Sequence, residues 1–303
     1  EEEKLTGIRS YCGALVSPES NNNPWNYKFT WNPRSILLQG QKTARYIRNG
    51  KIRFIPPHRI FTETEEINIP GTGTFEAYYN RDSIPYLSLY GIKEIQTFYR
   101  ATLRYPGFSI GWDSLARLGV TDNSYKIENS GKMTYNDFIN SFLPGSNGID
   151  PLSAIIDFSP SVQKTDVTKK LNSLDLFSNE LIGIENASPA DVLQKILESK
   201  WVLEENDKDM IVMQHQFDFV KDNKKERITT TMVLKGENKN RTAIAKTVGL
   251  PAAIAAKYLL NGTIKERGVI IPTYPDIYNP VLDELELNGI SFDENREKRN
   301  DVN

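Results

Sequence analysis

Residues 10–31 read SYCGALVSPESNNNPWNYKFTW, and residues 80–105 read NRDSIPYLSLYGIKEIQTFYRATLRY. The first stretch begins within a short predicted strand, residues 8–12, which we expect to run into a turn at Gly13. Residues 27–31 alternate aromatic and polar side chains, as a strand does. The start of the chain is therefore predicted to contribute strands to a sheet.

The pattern changes in the middle of the chain. Across residues 109–206 helical periodicity dominates, and Thr134 and Ser188 are predicted N-caps of two helices. Strands return at residues 209–220 and 227–235, which are rich in alternating and β-branched residues. The sequence thus predicts an α/β (α+β) fold, in which an all-helical insert interrupts a mixed sheet with helices.

The composition limits the class of protein. Hydrophobic residues make up 39% and charged residues 25%, as in an ordinary globular protein. The net charge of -2 gives no reason to expect nucleic acid or an anionic membrane as a partner. Cys12 alone cannot form an internal disulfide, and His58 and His215 are too far apart for a zinc site. No apolar run is expected to span a bilayer, because the longest, residues 250–260, is interrupted.

The chain lacks the motif that a nicotinamide-dependent dehydrogenase uses to bind its cofactor. No G-x-G-x-x-G sequence joins a strand to a helix. Gly71 and Gly73 lack the third glycine and are predicted to lie in a turn. We therefore do not expect a self-sufficient nicotinamide enzyme from these residues alone.

Three arginines form the clearest chemical pattern. Arg100 and Arg104 are four residues apart, so they would share one face of a helix, and a strand across ATLRY is an equal alternative. With Arg81 they could form an anion site, because a guanidinium group holds a carboxylate at two points. The alternative is structural ion pairing with one of three acids: Asp82, Glu94 and Asp113.

Four segments, in order, resemble the glutamate-forming saccharopine dehydrogenase family, also called saccharopine reductase. They are residues 10–33, with SYCGAL for the family's SYCGGL and KFTW for KFSW, residues 78–107, AKTVGLP at 245–251 and GVIIPTYPDIYNPVLDELELNGI at 268–290. A nucleotide-binding Rossmann half precedes such segments in that family. The resemblance therefore implies that the N-terminal dinucleotide-binding domain is mostly missing here.

The same resemblance implies a division into four parts. They are residues 1–26 as the end of the dinucleotide-binding domain and a crossover, 27–108 with 207–242 as a mixed substrate-binding and dimerisation domain, 109–206 as the all-helical insert, and 243–303 as C-terminal helices that pack back on the cofactor domain. A homodimer is implied, in the cytoplasm, or in the mitochondrion if the protein is eukaryotic.

The activity implied by the resemblance is that of an NADP- or NAD-dependent oxidoreductase acting on a CH–NH bond. It would interconvert saccharopine with L-glutamate and 2-aminoadipate 6-semialdehyde in lysine metabolism, including lysine biosynthesis. Without its cofactor half the chain is expected to be inactive. Two alternatives stay open: a carboxynorspermidine-type dehydrogenase, whose substrate has fewer carboxylates and more amines, and a non-catalytic dimerisation or ligand-binding module.

Site residues follow from the same resemblance, since saccharopine carries three carboxylates. The expected carboxylate contacts and their polar neighbour are Arg81, Arg100, Arg104 and Asn80. The SYCGAL segment supplies further expected substrate contacts: Cys12, Gly13, Ala14 and Leu15. Trp31 is expected to form a wall of the site, and Cys12 and Thr247 are expected to face the cofactor. No residue is nominated as the general acid or base, and no metal is predicted.

Overall fold

The computed structural model describes residues 3–143, 150–158, 164–222 and 224–299. Within them nine strands form one sheet: β1 Lys4–Val16, β2 Ala44–Arg48, β3 Lys51–Ile55, β4 Thr64–Ile69, β5 Gly73–Tyr79, β6 Thr97–Arg104, β7 Asp209–Lys221, β8 Lys224–Lys235 and β9 Asp293–Arg299. Their order is β3-β2-β6-β1-β7-β8-β9, and β5 also joins β4 to β6. Since β1 and β6 run parallel and the other pairs antiparallel, the predicted α/β class with a mixed sheet is confirmed.

Nine helices accompany the sheet in the same part of the chain: α1 Pro33–Leu37, α2 Pro85–Leu89, α3 Phe108–Leu118, α4 Tyr135–Asn140, α5 Pro151–Phe158, α6 Lys164–Asn172, α7 Pro189–Lys200, α8 Ala243–Leu260 and α9 Pro275–Leu287. Five of them, α3 to α7, lie between β6 and β7. Capping boxes at Thr134 and Ser188 begin α4 and α7, so both predicted N-caps are confirmed.

Strand β1 lies in the middle of the sheet, between β6 and β7. The turn expected at Gly13 is wrong, because β1 continues to Val16. Gly13 instead allows β6 to approach closely: a Cβ atom there would lie 2.9 Å from the Cβ of Leu103. Residues 1–26 were expected to end a preceding domain, whereas β1 is hydrogen-bonded on both sides within this sheet. The wider division into domains stays a prediction.

Aromatic side chains dominate the main core. The ring of Trp201 lies 5.1 Å from that of Tyr27 and 5.4 Å from that of Phe29, between centroids. The amide of Phe29 also donates to the carbonyl of Trp201 at 2.8 Å. The strand predicted for residues 27–31 is therefore wrong. Aromatic residues alternate there because Tyr27 and Phe29 both pack against Trp201, without a partner strand.

A carboxylate at the start of β7 holds the start of α8. Asp209 is fully buried, and its two oxygens accept hydrogen bonds from the amides of Ala243 at 2.6 Å and Ile244 at 2.9 Å. The hydroxyl of Thr242, the N-cap, accepts from the amide of Ala245 at 3.1 Å. The first turn of α8 is thereby fixed to the sheet.

Helix α8 differs from the expectation that no apolar run could span a bilayer. It is the one helix in the described ranges that is long and apolar enough, with 18 residues, a mean hydropathy of 1.3 and 11% of it buried. Pro251 lies within the helix, and Lys257 pairs with Glu284 of α9 at 2.8 Å. One such helix is weak evidence for a membrane, because helices of globular proteins meet the same criteria.

The segment 293–299, DENREKR, consists of charged and polar residues. Its side chains are exposed, but its backbone forms β9, which pairs antiparallel with β8. Arg296 lies opposite Ile228 and forms an ion pair with Glu226 at 2.6 Å. The charged composition of this segment therefore gave no indication of a strand. Charged side chains are typical of an exposed strand at the edge of a sheet.

Candidate functional site

A cleft of about 1120 Å³ lies over the C-terminal halves of the parallel strands β1 and β6. Cys12 of β1 and Thr102 of β6 are register partners, and both line it. Its other walls come from residues 80–82 after β5, from residues 30–43 around α1 and from the first turns of α8. Five segments that are distant in sequence thus converge on one cavity.

Seven of the nine predicted substrate residues line the cleft: Cys12, Ala14, Trp31, Asn80, Arg81, Arg100 and Arg104. The other two, Gly13 and Leu15, do not, because successive residues of a strand face opposite sides of the sheet. Leu15 is fully buried in the core, and Gly13 faces Leu103. The prediction that all four residues of the SYCGAL segment contact one ligand is therefore wrong in its geometry.

Arg104, the last residue of β6, is only 2% exposed. Its Nη1 donates to the carbonyl of Leu103 at 2.9 Å and its Nη2 to Oε1 of Gln39 at 3.2 Å, while its Nε has no partner. The guanidinium carbon lies 5.2 Å from the ring centroid of Tyr27 and 5.3 Å from that of Phe108. A permanently charged group is thus held among neutral partners.

The acid best placed to neutralise Arg104 is used elsewhere. Glu76 lies directly opposite Arg104 in the β5–β6 register. Its carboxylate accepts instead from the amides of Gly107 at 2.9 Å and Ser109 at 2.5 Å, at the start of α3. Burial raises the pKa of Glu76, and those backbone hydrogen bonds oppose the rise. No ion pair between Arg104 and a carboxylate exists in the part of the chain that the structure describes.

Arg100 has a similar environment. Its guanidinium carbon lies 4.1 Å from the centroid of the Tyr86 ring, and its Nη1 donates to the Tyr86 hydroxyl at 3.0 Å. Its Nη2 reaches the carbonyl of Asp82 at 3.4 Å, and its buried Nε has no partner. Among residues 3–143, 150–158, 164–222 and 224–299, no carboxylate forms an ion pair with it.

Arg81 lies at the mouth of the cleft and is exposed. Its φ of 52° is in the left-handed region, which a residue with a side chain seldom adopts and which is enriched at functional sites. The neighbouring carboxylate of Asp82 binds Arg45, at 2.7 Å from its Nη2 and 3.0 Å from its Nε. The described residues offer the Arg81 side chain no hydrogen-bond or ion-pair partner.

The three acids considered as structural partners of these arginines all pair with other cations. Asp82 pairs with Arg45, as described above. Asp113 pairs with Arg117 at 2.7 Å, and Glu94 lies 3.9 Å from Lys4. The structural ion-pairing alternative is therefore wrong for Arg81, Arg100 and Arg104 within the described residues.

Cys12 is exposed to the cleft. Loss of solvent around its sulfur raises the pKa of the thiol, and the charge of Arg104 opposes this only in part. Near neutral pH the thiol is therefore protonated, and a thiol is a poor nucleophile compared with a thiolate. Cys12 serves better as a small neutral wall of the cleft than as a covalent catalyst.

Several residues that line the cleft were not predicted as site residues from the sequence. They are Thr30, Ser35, Gln39, Lys42, Thr43, Asp82, Tyr86, Thr102, Thr242, Ile244, Ala245 and Val248. Gln39, Lys42 and Thr43 come after α1, which ends at Leu37. Thr102 could have been found, since it lies midway between Arg100 and Arg104 on one face of a strand.

Thr247, the weaker cofactor candidate, does not line the cleft. Its hydroxyl donates within α8 to the carbonyls of Ala243 at 2.9 Å and Ile244 at 3.3 Å. The structure also shows no metal-binding group of three or more His, Cys, Asp or Glu side chains among the residues it describes. The candidate site is therefore a cleft whose cationic character comes from its arginine and lysine side chains.

Fold and cleft together define an α/β domain with a cationic cleft for a small molecule. The chain belongs to the family described as the saccharopine dehydrogenase C-terminal domain, which it matches over residues 1–290. It is 34% identical to the saccharopine dehydrogenase (NADP(+), L-glutamate-forming) of Saccharomyces cerevisiae, over 93% of this chain and 65% of that protein. It is 33% identical to the alpha-aminoadipic semialdehyde synthase of Arabidopsis thaliana, over 97% of this chain and 30% of that protein.

The fold agrees with a solved relative. The structure of apo saccharopine dehydrogenase (L-Glu forming) from Saccharomyces cerevisiae superposes with a TM-score of 0.86 at 31% identity, over 97% of this chain and 68% of that one. The chain thus spans about two-thirds of the length of the fungal relatives and under a third of the plant protein. The fungal relatives are dehydrogenases, and hence oxidoreductases, by name. The resemblance drawn from the sequence is confirmed.

Proposed function

We propose that this chain is the substrate-binding part of an L-glutamate-forming saccharopine dehydrogenase. The observation that carries the proposal is that Arg81, Arg100 and Arg104 line one cleft, and no carboxylate pairs with them in the described residues. Arg104 is buried, and a desolvated cation needs an anionic partner, because charged groups are costly to bury alone. A substrate with three carboxylates supplies such partners.

The proposed reaction is removal of a hydride from the CH2 carbon of the lysine-derived half that bears the secondary amine. Water then hydrolyses the resulting imine to L-glutamate and 2-aminoadipate 6-semialdehyde. A bound nicotinamide, NADP or NAD, supplies the hydride acceptor. The residues of this chain bind and orient the substrate: guanidinium groups fix its carboxylates, and Cys12 and Trp31 form walls. A general base is not assigned to any residue.

The described residues do not form a binding site for the dinucleotide cofactor. Gly71 and Gly73 lie at the β4–β5 turn, and a strand rather than a helix follows them. The described ranges therefore contain no glycine-rich turn from a strand to a helix, the arrangement that receives a dinucleotide pyrophosphate. We propose that NADP or NAD is bound mainly by a part of the protein outside this chain.

The content of the cleft favours a carboxylated substrate over a polyamine. A carboxynorspermidine-type substrate calls for free acidic side chains, and the only carboxylate lining the cleft is Asp82, among the residues described. That carboxylate is bound by Arg45. Saccharopine is therefore the better candidate substrate.

The test is saccharopine binding and turnover in the full-length protein that contains this chain. Arg81→Ala, Arg100→Ala and Arg104→Ala should each raise KM for saccharopine, since losing one partner of a desolvated charge pair costs about 2–5 kcal/mol. Arg→Lys should recover only part of the loss, because ammonium lacks the bidentate fork. KM for the cofactor should change little.

Lys4→Ala removes an exposed cation far from the cleft and serves as the control. Unchanged saccharopine kinetics in all three folded arginine variants would refute the proposal. Lost thermal stability with normal kinetics would instead assign these arginines a purely structural role.

A further inference from the structure

Gln39 lies two residues beyond the end of α1 and lines the cleft beside Arg104. Its Oε1 accepts a hydrogen bond from Nη2 of Arg104 at 3.2 Å and another from the hydroxyl of Tyr78. A guanidinium group has only donors, so the atom of Gln39 that faces Arg104 must be the carbonyl oxygen. The two donors, Arg104 and Tyr78, thereby fix which end of the Gln39 side-chain amide faces Arg104.

Within the part of the chain that the structure describes, every contact that Arg104 makes is with a neutral group. Its hydrogen bonds go to the carbonyls of Leu103 and Gln39, and its nearest rings belong to Tyr27, Tyr78 and Phe108. Glutamate has nearly the shape of glutamine and would form an ion pair at this position. The chain therefore orients Arg104 without neutralising it.

We propose that Gln39 is a positioning and specificity-determining residue, whose neutral carbonyl orients Arg104 and leaves its charge available to a carboxylate of the ligand. The inference rests on the proposed function, because it assumes that Arg104 receives an anion. It adds that the absence of charge at position 39 matters as much as the hydrogen bond. A carboxylate at position 39 would compete with the ligand inside a poorly solvated site.

Gln39→Glu tests this directly, because it keeps the acceptor and the shape and changes only the charge. Calorimetric titration of saccharopine into the full-length protein should show Kd raised about tenfold or more, while Tm stays equal or rises because of the new ion pair. Gln39→Met keeps the side-chain length and removes the acceptor. It should raise Kd less, about threefold, since Arg104 keeps its charge but loses one orienting contact.

Gln96→Glu is the control, since it adds the same charge on an exposed side chain just before β6, outside the cleft. Its Kd should equal that of the unchanged protein. Unchanged Kd in Gln39→Glu would overturn the inference, and so would a lowered Tm with unchanged Kd in Gln39→Met. If Arg104→Ala still weakens binding in that case, the proposed function survives; if it does not, both fail.

Discussion

Tyr86 covers the guanidinium group of Arg100 with its ring and binds it with its hydroxyl. The guanidinium carbon is 4.1 Å from the ring centroid, and Nη1 donates to the hydroxyl at 3.0 Å. The ring shields the cation from water on one side without neutralising it. Tyr86 therefore prepares Arg100 for a ligand in the cleft.

Tyr86→Phe should keep the ring over Arg100 and remove the acceptor, which costs about 0.5–1.5 kcal/mol. We expect a rise of several-fold in KM for saccharopine and little change in kcat. Tyr86→Ala should raise KM further, because the cation–π contact is lost as well. The control is Tyr90→Phe, an exposed tyrosine outside the cleft. Equal KM values for all these variants would show that Arg100 does not need Tyr86.

The 303-residue chain should not bind a nicotinamide cofactor tightly, because the described residues lack a glycine-rich turn from a strand to a helix. Calorimetric titration with NADPH and with NADH is the measurement. The full-length protein, titrated in parallel, should bind one of the two. Sub-micromolar affinity of the 303-residue chain for either would contradict the prediction.

The chain should associate with itself. Phe217 and Ile228 face each other across β7 and β8 and remain partly exposed. An apolar sheet face of this kind favours burial against a partner. Light scattering at moderate concentration should give a dimer mass, and Ile228→Lys should lower it, whereas Thr229→Lys on the opposite face should have less effect. A monomer mass for the unchanged chain would contradict this.

Asp191 should contribute stability that is lost in acid. Burial opposes its ionisation, but hydrogen bonds from Lys126 and Ser188 and the charge of Arg34 lower the pKa of Asp191 well below its ordinary value of 3.8. A carboxyl group with a lowered pKa in the folded state stabilises the fold above that ordinary value. The stabilisation is lost as the pH falls from that ordinary value through the lower pKa of the folded state.

Asp191→Asn should therefore lower the free energy of unfolding by about 1–2 kcal/mol at pH 7, with a smaller difference near pH 3. Chemical denaturation at both pH values measures this. Asp137→Asn is a matched control, because Asp137 closes the equivalent capping box in α4 and has no cation partner among the described residues. Only hydrogen bonds from Thr134 lower its pKa, so its pH dependence should be smaller. A difference for Asp191→Asn that does not depend on pH would exclude the ion pairs as its source.

The class of fold could be predicted from the sequence, because the periodicity of each long segment indicates whether that segment is a helix or a strand. β7, β8 and the helical region between β6 and β7 lie where periodicity predicted them. The strand predicted for residues 27–31 was wrong because aromatic alternation arises equally from packing against Trp201, which is 174 residues from Tyr27 and 172 from Phe29. Likewise, the charges of residues 293–299 describe their side chains and say nothing about the backbone pairing with β8.

Some of the residues that line the cleft could be predicted from the sequence. Arg100 and Arg104 share a face in a helix and in a strand alike, so their proximity did not depend on the choice between the two. Gln39 and Tyr86 could not be found, because their roles arise from contacts with arginines 65 and 14 residues away along the chain. Which acids would neutralise those arginines was also beyond sequence spacing, since Glu76 could turn toward Arg104 or toward α3.

The contact between Asp209 and the start of α8 bears on which anions the cleft can select. A free helix N-terminus attracts phosphate through its dipole and its unpaired amides. Here the amides of Ala243 and Ile244 are already bound by Asp209, and that of Ala245 by Thr242. Under the proposed function, recognition is left to planar guanidinium groups, whose paired donors match the flat shape of a carboxylate. The N-terminus of α8 thus has no free amides in its first turn for binding anions in general. Under the proposed function, discrimination between anions comes from the geometry of the arginine side chains.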